Sequence, residues 1–300
     1  MASKSKAEQP AAAPNATTAA SSKTTLLDSF YGLVEKYPDE RFMTQPGVGG
    51  AGEGEGNNNN NTVKYWTFKE ALVEAKKVAA YLDSLDLPPK SQIAICSKNC
   101  SWWILADLAI WMSGHVSVPV YPTLTGDTVR YILEHSESKL LFVGKLDDHP
   151  WNEMKSGVPA GMPTVTFPLN PGLDDAAIAK NVEWDDILRK FEPIAKPATR
   201  NADEMATIIY TSGSTGQPKG VMHDFGTMLQ TTVGIESVLK PTRRDRYLSY
   251  LPLAHGMERW TGECIALHVG QQVFFAEALS TFVDDLNRSR PTLFLSVPRT

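Results

Sequence analysis

The fold class can be read from residues 91–144, SQIAICSKNCSWWILADLAIWMSGHVSVPVYPTLTGDTVRYILEHSESKLLFVG. In this stretch, short runs rich in β-branched residues alternate with segments of helical length. The alternation is typical of a parallel sheet that is covered by helices on both faces. It therefore predicts an α/β fold, with strands at 91–96, 116–121 and 139–144 and helices at 102–112 and 127–136.

The same alternation extends on both sides of this stretch. Thr67 and Glu70 form a predicted capping box that opens a helix reaching about Leu85. Residues 145–200 carry many Pro and Gly and a single clear helix at 184–191, which is typical of a connecting region. Beyond it the pattern predicts strands at 206–210, 246–251, 271–276 and 292–297, a helix after the glycine-rich loop at 211–220 with Asp224 as its candidate cap, and helices at 258–269 and 281–289.

Two subdomains are predicted, 25–200 and 201–300, with a boundary near 197–203. Residues 1–24 lack the apolar run of a secretory signal and are interpreted as a disordered tail. The stretch 47–61, GVGGAGEGEGNNNNN, can bury almost nothing and is interpreted as a flexible insert in the first subdomain.

Composition and charge exclude several classes of protein. The 29 Lys and Arg against 34 Asp and Glu give a net charge of -5, which argues against a polycation that coats nucleic acid. The most apolar run, 101–112, is interrupted by Asp107 and is shorter than the ~20 residues of a membrane span. The three cysteines fit neither a disulfide framework nor a zinc site and are expected to be buried thiols. A cytoplasmic protein is therefore expected.

The sharpest local motif is TSGSTGQPKG at 211–220, directly after the predicted strand at 206–210. In an α/β sheet, a loop at the carboxyl end of a strand opens into the ligand crevice. Glycines let backbone N–H groups turn toward an anion, and Lys219 adds a positive charge. The order Lys-Gly-Val excludes a Walker A loop, which requires Gly-Lys before Ser or Thr. The motif suits a polyphosphate; the alternative is a flexible solvent loop.

TSGSTGQPKG matches the phosphate loop of the adenylate-forming superfamily, which includes acyl-CoA synthetases, luciferases and peptide-synthetase adenylation domains. Residues 93–144, 249–260 and 281–299 resemble the corresponding parts of bacterial long-chain fatty-acid–CoA ligases. The resemblance covers most of residues 25–300. It implies the large N-terminal domain of that fold, with stacked, parallel-rich sheets flanked by helices.

The resemblance also implies a reaction and the residues that serve it. A fatty carboxylate attacks the α-phosphorus of ATP and releases pyrophosphate, and coenzyme A then displaces AMP to form a thioester. Mg²⁺ would bridge phosphate oxygens near the hydroxyl of Thr211. The residues implied to bind ATP are Thr211, Ser212, Gly213, Ser214, Thr215, Gly216 and Lys219.

A second segment, LPLAHGMER at 251–259, carries His255, which maps to the family position beside the acyl substrate and the nucleotide. The alternative is a loop histidine that bonds the backbone near a helix start. Glu258 and Arg259 are expected to form a local ion pair or a cap. The cluster of Arg243, Arg244 and Arg246 is expected to be a solvated face, because Asp245 interrupts it.

The family's later motifs would follow Thr300, among them a magnesium-binding Glu and a C-terminal lid domain. The chain is therefore expected to be a truncated ligase that folds poorly alone and turns over little substrate. Its partners would be a fatty acid, ATP and coenzyme A, but not nucleic acid, and contact with a membrane surface is left open. Two alternatives remain: the adenylation domain of another carboxylate-activating enzyme, and a non-catalytic nucleotide-binding remnant.

Overall fold

A computed structural model describes residues 24–47, 63–171, 181–212 and 217–296. The helices in these ranges are α1 (Leu26–Lys36), α2 (Phe68–Asp83), α3 (Ser101–Met112), α4 (Gly126–His135), α5 (Asp148–Met154), α6 (Trp184–Lys190), α7 (Phe225–Leu239), α8 (Gly256–Glu258), α9 (Ile265–Val269) and α10 (Phe282–Ser289). The strands are β1 (Arg41–Pro46), β2 (Val63–Thr67), β3 (Gln92–Cys96), β4 (Val116–Val120), β5 (Leu140–Val143), β6 (Thr164–Thr166), β7 (Asn181–Glu183), β8 (Met205–Thr211), β9 (Lys219–Asp224), β10 (Arg246–Ser249) and β11 (Gln272–Phe275).

Within the described residues, these strands form two sheets. The larger sheet has the order β7-β6-β5-β3-β4-β8-β9, and its neighbours are parallel except for the antiparallel pair β8–β9. The smaller sheet has the order β10-β11-β1-β2 and is parallel except for β1–β2. The predicted α/β class and the five elements predicted within 91–144 are confirmed.

Helix α3 lies at the centre of the core. All of its residues are buried, because it contacts β3 and β4 of the larger sheet, β1 of the smaller sheet, and α2. A helix that is apolar on every side needs such cover, since no face of it can meet water. Trp102, Trp103 and Trp111 of this helix are buried in the core.

The capping box predicted at the start of α2 is confirmed. The Thr67 backbone N–H donates to the Glu70 carboxylate at 2.8 Å, and the Glu70 N–H donates to the Thr67 hydroxyl at 3.2 Å. These two bonds satisfy backbone donors that the helix itself leaves unpaired. The helix ends at Asp83, two residues before the predicted end.

The region 145–200 contributes to the larger sheet. It contains α5 and α6, and β6 and β7 extend that sheet in parallel beyond β5. The expectation that it holds one helix and otherwise connects subdomains is wrong. Strands of three residues are too short to show a period in the sequence.

The predicted strand at 292–297 is wrong over the described residues. Leu293 makes an isolated parallel bridge to Tyr247, and 294–296 form no strand. Both sheets also combine strands from either side of the predicted boundary at 197–203, since β8 and β9 join β3–β7 while β1 and β2 join β10 and β11. That boundary therefore does not separate the two sheets.

The helix predicted at 258–269 is present as three consecutive helical pieces. Between α8 and α9, Arg259–Cys264 form a π-helical turn, a feature found frequently at functional sites. All three cysteines are buried, as predicted. In the ranges described above, no helix has both the length and the apolar character that crossing a membrane requires. The predicted tail and insert lie outside the described residues, apart from Thr24 and Gly47.

Candidate functional site

The motif at 211–220 joins two antiparallel strands. β8 ends at Thr211 and β9 begins at Lys219, and these two residues face each other in the antiparallel register. Since β8 runs parallel to β4, the loop leaves the sheet at its carboxyl edge, where α/β proteins bind ligands. Thr211, Ser212 and Lys219 are exposed there. The other predicted phosphate-binding residues, Gly213, Ser214, Thr215 and Gly216, lie outside the described residues.

The helix predicted after this loop is present as α7, with the predicted cap at Asp224, and an unpredicted strand, β9, lies between the loop and the helix. Helix α7 begins only at Phe225, where the Asp224 carboxylate caps it by accepting the Thr227 backbone N–H at 2.6 Å. Lys219 is therefore the first residue of a strand, and pairing with β8 holds its backbone opposite Thr211. The hairpin thus presents a hydroxyl and an ammonium group from adjacent backbones.

His255 is exposed and acts as the N-cap of α8. Its Nδ1 accepts the Met257 backbone N–H at 3.2 Å. This is the geometry of the second interpretation of His255, a loop histidine bonded to backbone at a helix start. The ring remains open to solvent, so the cap and a contact with a ligand are compatible.

The two predicted motifs lie next to each other through His223 and Trp260. The His223 ring, on β9, contacts the Trp260 ring at 5.0 Å between centroids. Trp260 in turn packs on Gly256, where a Cβ would be only 2.9 Å from the indole Cζ3. Burial lowers the pKa of His223, and the nearby charge of Arg259 lowers it further. The strand that begins at Lys219 therefore packs on the turn that follows His255.

Arg259 is fully buried and binds three elements of the core. Its guanidinium donates to the Asp107 carboxylate of α3, to the Ser117 hydroxyl of β4 at 3.0 Å, and to the Thr207 hydroxyl of β8 at 2.9 Å. The Nε atom lies 3.4 Å from the Glu263 carboxylate. The guanidinium also lies near the rings of Trp103 and Trp111. Arg259 therefore connects the His255 segment to the strand that ends at Thr211.

Charge in this cluster is balanced within the core. Burial opposes the positive charge of Arg259, but Asp107 and Glu263 raise the pKa of its guanidinium above its usual value. Burial raises the pKa of Glu263 well above its usual range, and Asp107 raises it further. Two buried acids face one buried base, so the cluster holds Glu263 protonated beside an Asp107–Arg259 ion pair.

Glu258 belongs to a separate buried network. Its carboxylate accepts the hydroxyls of Tyr247 and Ser249, each at 2.7 Å. Asn99, from the turn after β3, donates to the Ser249 hydroxyl at 2.8 Å and accepts the Leu253 backbone N–H at 2.9 Å. Burial raises the pKa of Glu258 to about 7. The expectation that Glu258 and Arg259 pair locally is wrong, because successive residues of a helix point into different surroundings.

The arginine cluster is only partly solvated. Arg243 forms an ion pair with Glu40, and Arg246 donates to the Arg290 carbonyl at 2.9 Å. The expectation of a solvated face is therefore wrong for these two side chains, which are half-buried, while Arg244 is exposed.

A cavity of about 480 Å³ lies where strands of both sheets end. Its wall combines residues that follow β3, β4, β5, β10 and β11, namely Lys98, Asn99, Pro122, Thr123, Lys145, Asp147, Ser249, Tyr250, Pro252, Ala276, Glu277, Ala278, Leu279 and Phe282. Burial lowers the pKa of Lys145, whose Nζ donates to the Ala276 carbonyl at 2.7 Å. The carboxyl ends of parallel strands thus form a crevice with an apolar wall, two lysines and two acids, of which Lys98 and Asp147 are paired with each other.

The sequence motifs did not point to Asn99 or to the partners of Arg259. One signal was present: Asp107 stands alone in the apolar run 101–112, and a charge is buried in such a position only with a partner. The partner itself, 152 residues further along the chain, is identified only by the fold.

The model of the AMP-binding enzyme family matches residues 34–300. Among curated relatives, long chain acyl-CoA synthetase 5 of Arabidopsis thaliana is 30% identical over 296 residues, which cover 91% of this chain and 41% of the relative. Fatty acyl-CoA synthetase A of Dictyostelium discoideum is 31% identical over 248 residues, which cover 79% of this chain and 36% of the relative. The chain therefore spans about two fifths of the length of these relatives.

Solved structures share the fold at lower identity. The chain is similar to an anthranilate CoA ligase in complex with anthranoyl-AMP, with a TM-score of 0.74 and 17% identity over 91% of this chain and 49% of that one. It is also similar to a fatty acyl-adenylate ligase from L. pneumophila in complex with acyl adenylate and pyrophosphate, with a TM-score of 0.65 and 18% identity over 90% of this chain and 44% of that one. The two-sheet arrangement is the fold of these enzymes.

Proposed function

The chain belongs to the family of AMP-binding enzymes, and on that premise we propose that the protein is a long-chain fatty-acid–CoA ligase. In the first step, a carboxylate oxygen of the fatty acid attacks the α-phosphorus of ATP, and the bond to pyrophosphate breaks. In the second, the thiol of coenzyme A attacks the acyl carbon, AMP leaves, and the thiol proton passes to solvent. The sequence similarity to acyl-CoA synthetases of plants and Dictyostelium supports this substrate class.

The observation that carries the proposal is the hairpin that sets Thr211 opposite Lys219 at the carboxyl edge of the larger sheet. A carboxylate must approach a polyanion in the first step, so the site has to neutralise negative charge. Lys219 would hold the β- and γ-phosphates, and the Thr211 and Ser212 hydroxyls would donate to phosphate oxygens. Mg²⁺ enters with the triphosphate as part of the substrate, and its place would be near Thr211.

His255 has a more limited part in the proposal. Its exposed ring lies at the start of the helical segment that packs on β9, so it would lie beside the acyl group and the nucleotide. No carboxylate partner orients the ring among the contacts of the described residues, and its Nδ1 already accepts a backbone N–H. We propose a contact role for His255 rather than that of a general base.

The crevice at the strand ends would receive the organic substrates. Its apolar wall, which includes Tyr250, Leu279 and Phe282, suits an acyl chain or the pantetheine arm, and Lys145 suits an anionic group. A fatty acid partitions into membranes because each buried CH₂ contributes about 0.8 kcal/mol. The protein would therefore act in the cytoplasm and collect this substrate at a membrane surface.

The test is a pair of lysine variants in the full-length protein. We expect Lys219→Ala to weaken MgATP binding about tenfold to a hundredfold, because it removes a charged contact to phosphate. Lys69→Ala, which removes an exposed lysine of α2, is the matched control and should bind MgATP like the wild type. The measurement is calorimetric titration with MgATP, followed by adenylate formation with long-chain, short-chain and aromatic acids.

Equal MgATP affinity in wild type and Lys219→Ala would contradict the role of the hairpin. Adenylate formation with aromatic or short acids but not with long-chain acids would support the alternative of another carboxylate-activating enzyme. Nucleotide binding without any adenylate would support the non-catalytic alternative.

A further inference from the structure

The tip of the β8–β9 hairpin, which is residues 208–211 of β8 with the facing residues 219–222 of β9, has few strand contacts with the rest of the sheet. β4 and β8 pair where Ser117 faces Thr207, whereas β8 and β9 remain paired as far as Thr211 and Lys219. Over 208–211, the strand partner of β8 in the described residues is therefore β9 alone. The placement of the tip depends on side chains that bind it from outside the sheet.

One such side chain contact joins Tyr210 to His135. The Tyr210 hydroxyl lies 2.7 Å from His135 Nδ1, in the last turn of α4. The imidazole ring stacks on Tyr131 of the same helix at 5.2 Å between centroids and meets the Tyr210 ring edge-on at 5.8 Å. Burial raises the pKa of Tyr210 to about 12, so the hydroxyl keeps its proton at neutral pH. The hydroxyl is therefore available as a donor to Nδ1.

Tyr210 is placed to control both ends of the loop. It directly precedes Thr211, and its cross-strand partner Gly220 directly follows Lys219. The two residues are in close contact, since a Cβ on Gly220 would lie 3.3 Å from Tyr210 Cζ. A shift of the Tyr210 ring would therefore move the backbones of Thr211 and Lys219 together.

We propose that Tyr210 and His135 are positioning residues that hold the hairpin tip in the geometry that binds the triphosphate of MgATP. The proposal rests on the proposed function, because it assigns the pair to the same nucleotide site. Neither side chain touches the reacting atoms. Their effect is on the placement of Thr211 and Lys219, and hence on the nucleotide rather than on the acyl substrate.

The test uses four variants of the full-length protein. Tyr210→Phe removes the hydroxyl and keeps the ring, and we expect it to weaken MgATP binding about three- to tenfold, the range for one neutral hydrogen bond. The KM for the fatty acid in acyl-CoA formation should stay unchanged. His135→Leu should weaken MgATP binding to the same degree, and His135→Asn should restore most of it, because its amide places a polar atom near the position of Nδ1. Tyr131→Phe, which keeps the stacked ring on α4, is the matched control and should bind MgATP like the wild type.

A double-mutant cycle separates positioning from general loosening. The effects of Tyr210→Phe and His135→Leu on MgATP affinity should be strongly non-additive, because both remove the same bond. Wild-type MgATP affinity in Tyr210→Phe, with Lys219→Ala impaired, would overturn the positioning role and leave the proposed function intact. Equal rises in the KM values of MgATP and fatty acid would also overturn it. A wild-type protein that does not bind MgATP would overturn both.

Discussion

The β8–β9 hairpin and the helical segment 256–269 meet at the same site but are held in opposite ways. The paired strands of the hairpin end at the exposed Thr211 and Lys219, and strand pairing and Tyr210 bind them to their surroundings. The helical segment follows the exposed His255, and its residues from Glu258 to Leu267 are buried. Its anchors are ionised or ionisable groups with partners on α3, β4 and β8.

This difference suggests that the hairpin serves ligand binding and the helical segment serves the stability of the site. A segment that must touch a polyanion needs exposed donors, and it gains little stability from them. A segment that must hold a ring or an acyl chain in place can be anchored from behind by buried charge, where breaking one partner is costly. We expect substitutions in the helical segment to affect folding, and substitutions in the hairpin to affect ligand binding.

The largest effect should follow from Arg259→Met. The variant leaves the Asp107 carboxylate in the core without its cation, so the free energy of unfolding should fall by about 3 to 5 kcal/mol. Chemical denaturation followed by circular dichroism measures this. Arg243→Met, which breaks the half-exposed ion pair with Glu40, is the matched control and should cost less than about 1 kcal/mol.

A compensated variant sharpens this result. Adding Asp107→Asn to Arg259→Met removes the stranded charge, so much of the lost stability should return. If Arg259→Met alone costs no more than Arg243→Met, buried charge does not anchor the helical segment and the contrast with the hairpin fails.

Much of the fold could be predicted from sequence because long elements show their period. The five elements of residues 91–144 and the helices near 184–190 and 282–289 lie where the pattern predicts. The errors involve short strands. β6 and β7 are three residues long. β9 has the sequence KGVMHD, whose polar first and last residues leave too short an apolar run to predict a strand. The strand predicted at 292–297 failed because a suitable pattern does not guarantee a strand partner.

The candidate site could be predicted only where its residues are adjacent in the chain. Thr211 and Lys219 lie in one motif, so their shared position at a strand end follows from local rules. Asp107 and Arg259 meet only because α3 and the π-helical turn pack against the same strands. This contact cannot be predicted from the positions of the two residues in the sequence. Tyr210 and His135 are likewise 75 residues apart.

A smaller effect concerns Glu258 and pH. Burial raises its pKa in the folded protein from 4.5 to about 7, so between these values the native state binds more protons than the unfolded state. The free energy of unfolding should therefore fall as pH rises through this window, by about 2 to 3 kcal/mol from this group. Glu258→Gln should remove that part of the pH dependence. Its free energy of unfolding should therefore increase relative to that of the wild type as pH rises.

Urea denaturation at pH 5, 6, 7 and 8 measures how the free energy of unfolding changes with pH in the wild type and in Glu258→Gln. Glu134→Gln, at an exposed site on α4, is the control and should leave the slope of the wild type unchanged. Parallel slopes for wild type and Glu258→Gln would show that the carboxyl is not held protonated by the fold. The buried anchoring of the helical segment would then rest on Arg259 alone.

The smallest expected loss of stability concerns Gly220 of β9, the residue that faces Tyr210 across the hairpin. Gly220→Ala places a methyl group 2.9 Å from Ile208 Cγ2 and 3.3 Å from Tyr210 Cζ, so the paired strands must move apart. We expect a loss of about 1 to 3 kcal/mol, together with weaker MgATP binding. Gly234→Ala, in α7 with nothing within 4 Å of the new Cβ, is the control and should stabilise the protein by up to about 1 kcal/mol. If Gly220→Ala lowers stability but binds MgATP like the wild type, the close packing of Tyr210 on Gly220 serves the fold alone, and MgATP binding does not depend on the exact spacing of the two strands.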